Sequence, residues 1–278
     1  MNDTSVVYLA RQKSGLAAFH SFLESYRRHP AGLPHSLVIV WKGFRSDAEL
    51  TSWLREASDL NPRSINIRDF GFDLRAYGVA AQRSDSRYLF LLNSFSQILA
   101  DDWLAKVRCA FERPDIGLAG ATGSWESMYS NALLSRAESC RDRTVSRLLG
   151  PIRLTLRRIC FQPFPNPHIR TNAFMMRRDL MREVWPGLIL AKRCAYLFEN
   201  GRDSLTRRVG CRGLKSVVVG KDGVVFESDA WPNSGTFRQP GQQNLLVGDN
   251  QTRLYEEADG ATQRMLAVCS WGDKLHGS

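Results

Sequence analysis

Asp69-Phe70-Gly71-Phe72-Asp73 sets two carboxylates around a glycine. A carboxylate placed there accepts hydrogen bonds from the N–H of a base or the hydroxyls of a ribose, and Gly71 permits the tight turn that aims it. The same residues also fit an Asx turn with a helix cap at Asp73. Asn93-Ser94-Phe95-Ser96 gathers small oxygen-bearing side chains behind the apolar run Tyr88 to Leu92. Neutral hydrogen bonds of this kind orient a sugar or a diphosphate, or close an ST turn before the next helix. By itself the cluster is a poor magnesium site, because hard cations favour carboxylate oxygen. Two more acids, Glu199 and Asp203, stand ahead of Arg207 and Arg208. Either acid can take a proton from an attacking hydroxyl, and the arginines can compensate phosphate charge. On a helix that begins early enough the two acids share a face; at a helix start they only complement its dipole. Two polar runs, His168-Ile169-Arg170-Thr171-Asn172 and Asp249-Asn250-Gln251-Thr252, bind sugar hydroxyls or make turns. His168, beside prolines, reads more readily as a structural histidine than as a catalyst.

These residues need elements to hold them. Ser5 to Ala10, Ser36 to Trp41, Ser64 to Arg68, Arg87 to Leu92 and Ile116 to Gly120 read as strands. Between them Gly15 to Arg28, Asp47 to Ala57 with Ser46 as its cap, Leu74 to Gln82 and Asp101 to Glu112 carry helical spacing. That alternation predicts an α/β fold with parallel strands, whose ligands sit beyond the carboxyl ends of the strands. Asp69, Asp73 and Asn93 fall there. Further on, Ile169 to Met176 and Leu214 to Val219 read as strands, and Asp179 to Val184 and Asp203 to Val209 as helices. Residues 231–252 read as a long ordered loop or lid. One continuous domain is expected, with an α/β half at 1–128, a basic helical insertion at 129–167 and a second half at 168–278.

The formal charge of +10 attracts polyanions: nucleic acid, anionic lipid head groups or phosphorylated sugars. Arginines from Arg136 to Arg158 interleave with Leu148, Leu149, Ile152, Leu154, Leu156 and Ile159. Such an amphipathic segment, spanning 136–160, lies on an anionic membrane surface or packs its apolar stripe on the core. No aromatic RNA-binding signature accompanies the charge, so no specific nucleic acid is expected. No Gly-x-Gly-x-x-Gly follows the first strand, which argues against a dinucleotide oxidoreductase. The six cysteines are scattered without metal-site spacing and read as reduced thiols. No apolar run approaches the roughly 20 residues that span a bilayer, and a cytoplasmic location, with docking to the inner face of the membrane, is the expectation.

Taken in order, these pieces resemble the GT-A glycosyltransferases, especially the inverting enzymes of the family-2 type. The resemblance implies a Rossmann-like, mixed and mostly parallel sheet flanked by helices. Asp69 stands where that family often has a nucleotide-contacting aspartate, and Leu205-x-x-Arg208 with Gly213 is similar to its helix after the catalytic acid. It further implies a donor site of Ala10, Arg11, Asp69, Asp73, Tyr77, Asn93, Ser94 and Ser96. Glu199 or Asp203 is the base, and His168, Arg170, Asn172, Arg207, Arg208, Asp249 and Gln251 contact the acceptor or the diphosphate. The implied partners are a nucleotide-sugar donor and a glycan or lipid-linked saccharide acceptor, in cell-surface polysaccharide synthesis. Mg2+ or Mn2+ is the implied cofactor, yet Asn93-Ser94-Phe95 replaces the family's acidic D-x-D. The same fold without turnover, as a nucleotide- or sugar-binding module, is the alternative.

Overall fold

A computed structural model describes residues 2–138, 153–187 and 192–272. The strands are β1 (Thr4–Arg11), β2 (Ser36–Lys42), β3 (Arg63–Ile67), β4 (Tyr88–Leu92), β5 (Gln97–Ile98), β6 (Ile116–Gly120), β7 (Gly123–Ser124), β8 (His168–Ile169), β9 (Ala173–Arg177), β10 (Lys215–Val219), β11 (Val225–Phe226) and β12 (Val247–Gly248). The helices are α1 (Leu16–Arg28), α2 (Asp47–Glu56), α3 (Phe72–Arg83), α4 (Trp103–Cys109), α5 (Met128–Glu138), α6 (153–160), α7 (Arg178–Val184), α8 (Lys192–Asn200), α9 (Leu205–Gly210), α10 (Asn250–Glu257) and α11 (Gly260–Trp271).

Eight strands form one sheet in the order β11-β10-β6-β9-β4-β1-β2-β3. Four neighbouring pairs are parallel (β1 with β2 and β4, β2 with β3, β6 with β10) and three antiparallel, two of which involve β9. Because β9 runs against its neighbours, its first residue, Ala173, pairs with the last residue of β4, Leu92. The carboxyl ends of β1, β2, β3 and β4 and the amino end of β9 therefore share one edge.

Successive strand side chains alternate between the two faces of the sheet, and each face has its own core. Val6, Tyr8, Ile39, Trp41, Phe90 and Leu92 pack with Phe19, Phe22, Trp53 and Trp103 from α1, α2 and α4. On the other face Val7, Leu9, Val38, Val40, Leu89 and Leu91 meet Tyr77, Met181 and Val209 from α3, α7 and α9, together with Trp231, Phe237 and Trp271. Burying one such large side chain contributes roughly 1.5–3 kcal/mol, so both layers hold the sheet.

The strand read over Ile169 to Met176 is two strands, broken at 170–172, where the backbone crosses from the β7–β8 pair into the main sheet. The helix read from Asp203 starts at Leu205. The long tail is no lid: Trp231, Phe237, Leu245, Leu246 and Val247 are buried core residues. Arg170 and Asp249 also anchor it through a buried ion pair of 2.7 Å; losing one partner of such a pair costs about 3–5 kcal/mol. Part of the basic segment, 139–152, lies outside the described residues. No helix among the described residues is long and apolar enough to cross a membrane.

Candidate active site

Asp69 lies just past β3, and the turn that aims it is built from glycines in the left-handed region. Gly43, at φ +88, follows β2 and its N–H donates to the Ile67 carbonyl at 3.1 Å. Gly71, at φ +72, starts α3 in place of a side-chain cap. Arg11 and Lys13, from the end of β1 and the turn behind it, approach Asp69 to 3.0 and 2.9 Å. Partial burial pushes the Asp69 carboxyl up, but Lys13 and Arg11 together hold it below its usual range. Asp69 is therefore an ionised acceptor, and each of its oxygens retains capacity for a further donor.

Asp73 sits in the first turn of α3 and caps nothing. Burial raises its pKa, opposed by Lys42 and Arg11 and reinforced by Glu199 and Asp69. Lys42, at the end of β2, is fully buried and donates from Nζ to the Phe72 carbonyl. Burial lowers the Lys42 pKa to about 8, against the pull of Asp73. A low-polarity pocket disfavours either charge alone.

Glu199, in the last turn of α8, accepts a hydrogen bond on Oε2 from Thr171 Oγ1, from the break between β8 and β9. Its charge bears on Asp73, Tyr77 and His168, so these groups share one neighbourhood. His168 is buried and its Nδ1 donates to the Asn166 carbonyl at 2.8 Å. Beside them, the Asn93 N–H donates to the Asn172 carbonyl at 2.8 Å. Asn93 Oδ1 accepts from the Phe95 N–H at 2.9 Å and Ser96 Oγ at 3.1 Å, so the turn is closed by the Asn93 amide and leads into β5, in place of an ST turn before a helix.

Asp69, Asp73, Asn93, Ser94, Asn172, His168 and Glu199 thus gather at one sheet edge, with Arg11 paired to Asp69. Other expected site residues are engaged elsewhere. Ala10 and Tyr77 are core side chains, and the Tyr77 hydroxyl reaches only the Thr171 carbonyl, at 3.4 Å. Ser96 Oγ is held between Asn93 and the Asn172 carbonyl. Asp203 does not share a helix face with Glu199, because α8 ends at Asn200 and α9 begins after a turn. Exposed, Asp203 pairs with Arg208 at 2.6 Å, while Arg207 donates to Gln162 Oε1. Arg170 joins Asp249, and Gln251 Oε1 accepts from Arg238 at 3.3 Å. The first pair binds the tail to the body of the protein, and the second lies within the tail. Lys42 and Arg253 are not singled out in the sequence, and Thr171 stands there only as a member of a polar run. The capping pattern Asp249-x-x-Thr252, which opens α10, is the one sequence signal for Arg253.

The donor set does not fit a divalent cation. No group of three His, Cys, Asp or Glu residues capable of holding a metal occurs among the described residues, and Asn93 Oδ1 already accepts two hydrogen bonds. None of these site residues lines either of two sizeable clefts. One of 380 Å³ opens at the amino ends of the strands beside Ser5 and Ser36, and one of 520 Å³ lies between Arg75 and Trp185.

No family model matches the sequence, and no curated protein matches it. Among solved structures, a mannosyltransferase from Pyrobaculum calidifontis in complex with GDP-Man and Mn2+ is 11% identical, with a TM-score of 0.49 over 96% of this chain and 69% of that one. TarS of S. aureus is 11% identical, with a TM-score of 0.40 over 66% of this chain; the match spans only 30% of TarS. Glucosyl-3-phosphoglycerate synthase from Mycobacterium tuberculosis is 15% identical, with a TM-score of 0.37 over 64% of this chain and 57% of that one. Likenesses this distant assign no activity to the chain, and its mixed α/β architecture rests on its own strand register.

Proposed function

We propose that the chain is a nucleotide-sugar-dependent glycosyltransferase of the GT-A type. The observation that carries this reading is the convergence of Asp69, Asp73, Asn93 and Glu199, from four separate elements, on the edge where α/β sheets bind ligands. Asp69 accepts from the base or ribose of the donor. Glu199 takes the proton of the acceptor hydroxyl: the Thr171 hydroxyl occupies Oε2 and leaves Oε1 for the proton. As the acceptor oxygen bonds to the anomeric carbon, the bond from that carbon to the nucleoside diphosphate breaks, with inversion. The transferred group is a hexose and the acceptor a glycan or lipid-linked saccharide of the cell surface. The reaction takes place at the cytoplasmic face of the membrane.

A thermal-shift panel of nucleoside diphosphates and nucleotide sugars tests donor binding, since a ligand of the native state raises its apparent stability. A selective shift is expected, and no shift from a folded sample would sink the reading. Glu199→Gln should keep the shift while transfer and donor hydrolysis fall by at least about 100-fold. The turn at Asn93, without carboxylates, favours a second reading, a donor-binding module without turnover. A wild-type protein that binds donor but releases no nucleoside diphosphate would establish it.

A further inference from the structure

We infer that this chain holds the diphosphate of its ligand without a divalent cation, through hydrogen-bond donors at the carboxyl end of β4 completed by Arg253. The inference rests on the nucleotide-sugar reading. Because Asn93 Oδ1 accepts from Phe95 and Ser96, its amide is turned so that Nδ2, a donor, is left without a partner among the described residues. Asn172 is fixed in the same sense. Its Oδ1 accepts from Thr122 Oγ1 at 2.8 Å, and its Nδ2 is buried with no hydrogen bond. Ser94 Oγ is buried and unpartnered too among the described residues. Arg253, on α10, brings Nη1 and Nη2 each to 3.5 Å from the Phe95 carbonyl, and no carboxylate among the described residues pairs with it. The helix carrying it is fixed at its start by Asp249, which caps it and is itself held by Arg170 at 2.7 Å.

An acidic D-x-D presents acceptors to a cation. This edge presents donors: two amide nitrogens, a hydroxyl and a guanidinium. A hard cation finds only the Ser94 hydroxyl as a ligand in that set, whereas phosphoryl oxygens, which only accept, match all of it. Buried donors left unmatched are costly, and a ligand that brings oxygens to them relieves that cost.

Isothermal titration of the full chain with UDP and with GDP, in EDTA and in manganese chloride, tests the inference. At least one nucleotide should bind with the same affinity, within about twofold, in both buffers. Arg253→Leu should weaken that binding roughly 10- to 100-fold, the effect of losing charge-assisted hydrogen bonds. Asn93→Asp keeps the acceptor that Phe95 and Ser96 use, but replaces the free donor by an anionic oxygen. Its binding should vanish in EDTA and return with manganese, which keeps the test decisive even if the Arg253 variant does not fold. Wild-type binding that appears only with manganese overturns the inference and leaves the transferase reading standing, as does unchanged affinity in folded Arg253→Leu. No binding of either nucleotide in either buffer overturns both.

Discussion

His168 carries a lone pair on Nε2, because its Nδ1 proton is held by the Asn166 carbonyl. Burial lowers its pKa below the ordinary 6.5 and Arg170 adds to that, while Glu199 and Glu126 oppose it. Above pH 6.5 the ring is neutral in both the folded and the unfolded chain. As the pH falls below 6.5 towards the folded value, the unfolded chain takes up the proton first, and stability is lost. Asp73, whose pKa is raised, acts with the opposite sign, so the comparison must be made between variants. Thermal unfolding between about pH 7.5 and about pH 5 should show a shallower acid-side loss for His168→Gln than for wild type. Identical slopes would assign the loss to other groups. Much of the site is legible at this scale, since Asn93 follows an apolar strand run, Asp69 follows a short strand and Glu199 precedes a glycine turn. The roles of Thr171, Lys42 and Arg253 are not, because each comes from a neighbour distant in sequence: Glu199, the Phe72 carbonyl and the Phe95 carbonyl.

The turn after β2 shows how an element positions a charge. A Cβ on Gly43 would stand 3.0 Å from Asp69 Cβ, at a φ that side chains rarely adopt. Gly43→Ala should therefore cost roughly 1 kcal/mol of stability and also push Asp69 from its place. Nucleotide affinity should fall by more than the melting temperature accounts for, and an affinity equal to wild type would remove Asp69 from the donor site. The strands β1, β2, β4 and β6 are plain in the sequence because each is a continuous apolar run buried on both faces. The break between β8 and β9 is hidden, since nothing in Arg170-Thr171-Asn172 interrupts an extended chain except its tertiary hydrogen bonds. Neither α10 nor α11 stands out as a helix in the sequence. In α10 the buried side chains are those of Thr252 and Tyr255 alone, too few for an apolar stripe to show.

Across the whole molecule the +10 charge is unevenly used. Arg153, Arg157 and Arg158 on α6 are exposed and pair with no carboxylate among the described residues, and Leu156 and Ile159 beside them are exposed too. On α5, Leu133 and Leu134 are exposed as well. Reversing the charge of all three arginines should reduce sedimentation with vesicles rich in anionic lipid, where each basic residue near the surface contributes roughly 1 kcal/mol. Equal sedimentation of the variant would leave this face as ordinary protein surface. A different consequence attends the far end of the described chain. Trp271 is fully buried against Trp125, its indole N–H donating to the Phe237 carbonyl at 2.7 Å, and the Ser270 carbonyl accepts from the Trp125 N–H. One core layer has all its members once residue 247 is made, whereas the other waits for Trp271. During translation the nascent chain therefore carries one finished face and one unroofed apolar face until α11 emerges, and in that interval it depends on whatever shields such surfaces at the ribosome.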